Sequence, residues 1–196
     1  MSKKSGSQTE LKKSILEQSL CTGCGACVGL CPYQVIYADR TVQLFSCDLP
    51  DGKCYAFCPR TPADYDHIKK SIFNINDLTP EIGAVKGYYL SRASDPRLRV
   101  KVQHGGTVTA LLELAMGEGV IDSAIVSSRS EDFEQCGLLV TDQTQLRRHS
   151  KSWFTVSPTL ATFNRIPDDR KKRTGVVATP CQAMDLEKMK TAEIPG

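Results

Sequence analysis

The sequence predicts an α+β protein of two unlike parts, and three observations carry that reading. Seven of the nine cysteines fall within the thirty-eight residues from Cys21 to Cys58. Two short β-rich runs, Gln34–Tyr37 and Thr41–Phe45, lie between the two halves of that cysteine-rich stretch. From Val85 onward apolar segments alternate in strand-like and helix-like lengths, which argues an α/β layer.

The elements follow in order. Residues 1–9 are rich in Ser, Lys, Gly, Gln and Thr and read as a flexible tail, with residues 1–13 as the first unit. Leu11, Ile15, Leu16 and Leu20 recur at near-helical spacing and predict a short helix leading into the first cysteine loop. Cys21, Cys24, Cys27 and Cys31 have the C-x2-C-x2-C-x3-C-P spacing, in which three closely spaced thiolates grip one 4Fe-4S cluster and the fourth reaches a second. Cys54-x3-Cys58-Pro59 repeats the end of that motif. Asp51 stands where a cysteine is expected, and Cys47 is displaced by one inserted residue.

The crossed pattern assigns Cys21, Cys24, Cys27 and Cys58 to the first cluster. It assigns Cys31, Cys47 and Cys54 to the second, with Asp51 or solvent at its fourth iron. A carboxylate is a harder ligand than a thiolate, so that cluster is expected to be 3Fe-4S or to hold one labile iron. Tetrahedral zinc is the rival for C-x2-C pairs, although structural zinc sites seldom use this run of four. No N-terminal stretch reads as a secretory signal, which argues against disulfides. Cluster motif, hairpin, cluster motif is a ferredoxin-like pattern over residues 14–62.

Pro59-Arg60-Thr61-Pro62 breaks structure, and residues 63–84 read as a polar linker. In residues 85–196 the expected elements are a strand at Tyr88–Leu90, a helix at Thr107–Met116, strands at Val120–Val126 and Gly137–Val140, a helix at Pro158–Asn164, a strand at Thr174–Ala178 and a helix opening at Pro180. His104-Gly105-Gly106-Thr107-Val108-Thr109 precedes an apolar helix. Paired glycines admit a ligand to the backbone and a helix start favours phosphate, while a plain turn with Thr as N-cap is the alternative. Cys181 follows an apolar strand at a helix start, facing the crevice where α/β sheets bind ligands; a buried cysteine without chemistry is the other reading. Cys136 reads as core, His67 and His149 as surface, and Trp153-Phe154 as core or pocket lining.

The net charge of +3 is accounted for by Lys3, Lys4, Lys12 and Lys13 against Glu10. The remainder shows no basic stripe, which argues against nucleic acid. No run of eighteen apolar residues suggests a membrane span. Free thiols and oxygen-sensitive clusters suit the reducing cytoplasm.

Several motifs in order resemble the beta-subunit family of coenzyme F420-reducing hydrogenases and formate dehydrogenases. They are Cys54-Tyr-Ala-Phe-Cys58-Pro59-Arg60, Gly105-Gly106-Thr107-Val108-Thr109-Ala110-Leu111-Leu112 followed by Gly119-Val120-Ile121-Asp122, Ser150-Lys151-Ser152-Trp153, and Ala178-Thr179-Pro180-Cys181-Gln182. The resemblance implies an N-terminal ferredoxin-like two-cluster domain followed by an α/β flavin-binding-type domain. It implies FAD, with His104, Gly105, Gly106, Thr107, Thr109, Lys151, Ser152, Pro180, Cys181 and Gln182 as the candidate flavin residues. It further implies other subunits of a redox complex, such as a hydrogenase or formate dehydrogenase, and a deazaflavin or ferredoxin-type acceptor. Family members usually continue well past the position of Gly196, so a shortened paralogue, a split subunit or a truncated product is expected. The alternative function is a flavin-free relay and docking subunit. An oxygen-sensing role rests on Asp51 alone.

Overall fold

The computed structural model describes residues 6–73, 78–79, 81–85, 87–131 and 133–192. Order begins inside the expected tail. Helix α1 (Gln8–Leu11) continues as a π-helical turn over Lys12–Leu16, and Leu11 and Ile15 are buried beneath Tyr55 and Cys54. The spacing of those two apolar residues buries one stripe, as the sequence predicts. The tail reading fails for residues 6–13 because Leu11 gains more from burial than the polar segment loses in chain entropy.

After the first cysteine loop, β1 (Gln34–Tyr37) and β2 (Arg40–Gln43) form an antiparallel hairpin in which Ile36 pairs with Thr41. The turn needs Ala38 at φ +54°, so the second strand starts at Arg40 and ends before Leu44. Helix α2 (Lys53–Phe57) then carries Cys54. The segment expected as linker contains α3 (Tyr65–Ile72), where Asp64 Oδ1 accepts the His67 N–H at 2.9 Å. A two-residue pair, β3 (Leu78–Thr79) with β4 (Gly83–Ala84), follows.

Tyr88–Leu90 joins no strand among the described residues, and its side chains are exposed. β-propensity alone does not supply a pairing partner. Helix α4 (Pro96–Arg99), capped by Asp95, precedes a 3-10 turn at His104–Gly106 and helix α5 (Thr107–Gly117). Gly119 at φ +66° and exposed Val120 make a turn, so β5 is Ser123–Arg129 rather than a strand from Val120. The remaining elements are β6 (Gln135–Val140), α6 (Gln143–Arg148), α7 (Thr159–Asn164), α8 (Asp168–Lys171), β7 (Thr174–Val176) and α9 (Pro180–Thr191).

The sheet order is β6-β5-β7, with β5 antiparallel to β6 and parallel to β7. It is a small mixed sheet within an α+β chain. Ala124 and Ile125 on β5 are fully buried, as expected for a central strand covered on both faces. On one face Leu112, Met116 and Leu146 pack on Val126 and Val140. On the other, Gly137 lets α7 approach so closely that an added Cβ would lie 2.9 Å from the Thr159 Cα.

Helix α7 is also the floor of the first cysteine loop. Leu160, fully buried, packs with Cys24 and Ala26, and Phe57, Val176, Cys181, Leu186 and Met189 close around them. The cysteine-rich part and the sheet therefore share one core. Among the described residues no helix is long and apolar enough to cross a membrane.

Candidate functional site

The cysteine loop is shaped by backbone that only glycine adopts easily. Gly23, Gly25 and Gly29 have φ of +64°, +84° and +84°. The turns they make direct Cys24 and Cys27 inward, where both are about 8% exposed. Thr41 of β2 braces the set: its N–H points to the Cys21 sulfur at 3.5 Å, and its hydroxyl lies 3.2 Å from the Cys27 sulfur. Asn164, at the end of α7, donates to the carbonyls of Ala26 at 2.9 Å and Val28 at 2.7 Å. A side chain from the sheet-bearing part thus pins the loop that carries the thiols.

Two thiol groupings emerge from the electrostatics. Burial pushes the Cys27 thiol up to about 12, and the thiols of Cys58, Cys21 and Cys54 oppose its ionisation further. Burial raises Cys54 to about 11, with Cys31 and Cys47 adding to the rise. Cys24 and Cys58 are raised by burial as well, and Asp185 adds to both. The first grouping matches Cys21, Cys27 and Cys58, and the second matches Cys31, Cys47 and Cys54. Cys27 also feels Cys54, so the two groupings are neighbours.

This donor set fits an iron-sulfur cluster. Buried thiols that oppose one another's ionisation become thiolates only where a cation among them reverses the sign of the local field, and bound metal does so by taking thiolates. Among the described residues no group of three or more His, Cys, Asp or Glu is drawn together as a cage for one ion. Asp51 is exposed on the turn into α2 and is not among the charges that bear on Cys54.

A cleft of about 870 Å3 opens beside Cys24, with Thr22 and Asp39 on the same wall. The same cleft is lined by His104, Gly106, Thr107 and Thr109 from the start of α5, by Lys151 and Ser152, and by Cys181 and Gln182 from the start of α9. Eight of the ten candidate flavin residues thus share one cleft. Gly105 and Pro180 shape the turns behind it, Gly105 at φ +77° and Pro180 as the first residue of α9.

The helix start at α5 is not capped by threonine. Gly106 itself, at φ +78°, is the N-cap, and no side chain caps the first turn. Thr107 Oγ1 lies 3.0 Å from Ser91 Oγ instead. A Cβ on Gly106 would meet the Val102 side chain at 2.6 Å, so glycine is required for the tight approach. A bare first turn of an eleven-residue helix, lining a cleft through Thr107 and Thr109, fits an anionic phosphate.

Gln182 ties the walls together. Its Nε2 donates to the Ser157 carbonyl at 2.8 Å and approaches the Cys24 carbonyl at 3.5 Å, while its Oε1 accepts the Thr179 N–H at 3.0 Å. Cys181 lines the cleft, its sulfur 3.1 Å from Thr179 Oγ1. Trp153 lines the cleft rather than the core, with the Arg129 guanidinium 4.5 Å above its ring, and Phe154 is exposed. His149 is half-buried in the cleft wall with Nδ1 2.9 Å from Ser128 Oγ, not a free surface residue.

Sequence reasoning missed Asn164, Asp185 and Lys188. Asn164 reads in the sequence as a helix end, and Asp185 and Lys188 carry no sequence reading beyond the helix that opens at Pro180. Asp185 is fully buried and Lys188 is 6% exposed. Their only sequence signal is spacing: Gln182, Asp185 and Lys188 recur every third residue on one helix face.

Asn164→Ala removes both loop bonds. It is expected to cost about 2 kcal/mol, and so lower Tm by about 4–8 °C in a chain of this size. Calorimetry on the iron-loaded chain checks this, and a shift below about 1 °C would show that the loop is held without Asn164.

Residues 88–164 match the family model described as coenzyme F420 hydrogenase/dehydrogenase, beta subunit N-term, and residues 15–37 match the 4Fe-4S binding domain. The coenzyme F420-dependent sulfite reductase of Methanocaldococcus jannaschii is 28% identical, over 89% of this chain and 26% of that protein. The coenzyme F420 hydrogenase subunit beta of Methanothermobacter thermautotrophicus is 29% identical, over 56% of this chain and 40% of that protein. A ferredoxin of Pyrobaculum islandicum is 32% identical, over 40% of this chain and 67% of that protein. The chain spans about half or less of the length of the longer relatives it matches.

Proposed function

We propose that this chain, which belongs to the coenzyme F420 hydrogenase/dehydrogenase beta-subunit family, is an iron-sulfur electron-transfer subunit that holds FAD in the cleft beside its first cluster. The observation that carries the reading is that Cys24, a candidate ligand of that cluster, shares one cleft with eight of the candidate flavin residues. A flavin there would supply conversion between the single electrons of clusters and the electron pair of a hydride acceptor.

The residues of the chain have separable parts in this. The first turn of α5 and the Thr107 and Thr109 side chains meet the flavin phosphates. Lys151 and Ser152 line the cleft beside them, and the Ser152 N–H is itself kept in place by Gln103 Oε1 at 2.9 Å. Gln182 keeps the cluster loop and the cleft wall at a constant separation through its bonds to both. Cys21, Cys24, Cys27 and Cys58 hold the first cluster and Cys31, Cys47 and Cys54 the second, with Asp51 or solvent completing it.

The onward acceptor is a deazaflavin such as coenzyme F420, or another low-potential carrier, and the donor is another component of a redox complex. Relatives named as components of a coenzyme F420 hydrogenase and of an F(420)H(2) dehydrogenase support that placement.

Flavin and iron are to be counted together on full-length chain purified without oxygen. About one flavin and roughly seven to eight irons per chain are expected. Folded chain with that iron and no flavin would overturn the FAD assignment and leave the flavin-free relay.

A further inference from the structure

A second concavity, of about 780 Å3, adjoins the cleft at Lys151, the one residue that lines both. Four of its seven lining residues are cations, Lys101, Arg147, Arg148 and Lys151, and none is a carboxylate. The chain beyond its first thirteen residues is neutral on balance, so this gathering of one sign is made by the fold.

The four cations differ in what holds them. Arg147 is committed to the scaffold: its guanidinium grips Glu113 of α5 through Nε and through Nη2 at 3.0 Å, and Asp95 before α4 through Nη1 at 2.9 Å. Gln143 Nε2 adds a bond from α6 to the Glu113 carbonyl at 3.1 Å, and Ser150 Oγ donates to the Arg147 carbonyl at 2.8 Å. Three helices are thereby tied into one wall. Asp142, next along the chain, is turned to the Gln145 N–H at 2.8 Å as the cap of α6. Lys101, Arg148 and Lys151 are exposed, and none of them has a carboxylate partner among the described residues.

A concave wall lined by one sign of charge focuses its field and concentrates counter-ions. The volume lies within the roughly 300–1,000 Å3 of small-ligand pockets, which suits a compact anion better than a protein face or a nucleic-acid backbone. We propose that this pocket is a polyanion site, holding the phosphate or clustered-carboxylate end of a second ligand, distinct from the flavin, whose other end lies in the cleft. Lys101 and Arg148 supply free charge, Lys151 joins the two spaces, and Arg147 keeps the wall in shape. The proposal rests on the cleft being a ligand site.

Its test is calorimetric titration of pyrophosphate, with inorganic phosphate beside it, into the full chain purified without oxygen. The chain is used both loaded with FAD and freed of flavin, and iron is counted before and after. Pyrophosphate is expected to bind the pocket at about one per chain, at least about fivefold more tightly than inorganic phosphate, and to weaken at least about tenfold on raising the salt from about 0.05 to 0.5 M. Lys101→Ala and Arg148→Ala are each expected to weaken it about fivefold, and together about twentyfold. Lys101→Arg keeps the charge and is expected to stay within about threefold of the parent. Lys70→Ala, which removes an equal charge from α3, is expected to change it less than about twofold.

Binding that persists in the FAD-loaded chain and responds to the two substitutions supports the proposal. If FAD abolishes that binding, the pocket belongs to the flavin and the proposal is overturned while the FAD reading stands. A chain that takes no flavin overturns the FAD reading, and the flavin-free titration then decides this one. If no pyrophosphate binding responds to the two substitutions in either form, the proposal is overturned.

Discussion

Cys27→Ser is expected to remove the first cluster outright, lowering the iron of the anaerobically loaded chain by roughly four per molecule. The argument begins from position. Cys27 is 8% exposed in the core formed by Leu11, Ile15, Val28, Tyr55 and Ala161, and the thiols of Cys58 and Cys21 bear on its ionisation. A serine hydroxyl there is a hard, protonated oxygen where a soft thiolate is needed, and Thr41 Oγ1 would engage it instead. Thermal stability is expected to fall with the iron, because the buried thiols of an empty site gain nothing from each other and folding of this region is coupled to the metal. Cys136→Ser is the reference. Cys136 lies on β6 within the sheet and is expected to leave the iron unchanged. Iron analysis of the two variants side by side checks both statements, and full iron in Cys27→Ser would take Cys27 out of the ligand set.

The second large effect is expected from a single methyl group. Gly25 lies between Cys24 and Cys27 at φ +84°, and a Cβ there would sit 2.7 Å from the Ala161 amide nitrogen and 2.9 Å from the Pro158 carbonyl oxygen. Both obstacles are backbone at the start of α7, which is itself seated on β6, so neither can swing aside. The left-handed conformation adds about 1–2 kcal/mol for any side chain, and the clash forces the cysteine loop off its floor. Gly25→Ala is expected to cost about 3–5 kcal/mol and to impair loading of the first cluster. Gly83 is the matched comparison: it has φ +74° with nothing within 4 Å of a Cβ, so Gly83→Ala is expected to show the conformational cost alone. Chemical denaturation of both variants separates the two contributions, and equal losses would show that the loop does not rest on α7 as closely as the structure places it.

The cysteine loop was legible because its information is local. Cys21, Cys24 and Cys27 are joined by short covalent paths, so their spacing alone constrains what three sulfurs can grip, and the glycines between them declare the turns. The starts of α5 and α9 were legible for the same reason: Gly105-Gly106 and Pro180-Cys181-Gln182 mark helix ends by the backbone geometry they permit. Boundaries drifted where two neighbours compete. β5 begins at Ser123 because Gly119 turns the chain, and β2 stops at Gln43 because Leu44 and Phe45 run beyond the end of its partner.

What concerns distant pairs was not legible. Tyr88–Leu90 has the composition of a strand, yet a strand exists only where another edge receives it. Trp153 read as core or pocket lining and His149 as surface, and both stand in the cleft wall because the cleft forms between segments far apart in the chain. By itself the sequence determined the cluster loops, the hairpin between them and the family motifs, all of which rest on spacing along the covalent chain. Only the tertiary structure decided that α7 and α9 serve both parts, that Asn164 pins the cysteine loop, and that Asp185 and Lys188 are buried beside its thiols. The physical reason is that burial and electrostatic coupling depend on separation through space, and residues 24 and 185 become neighbours only when the core closes between them.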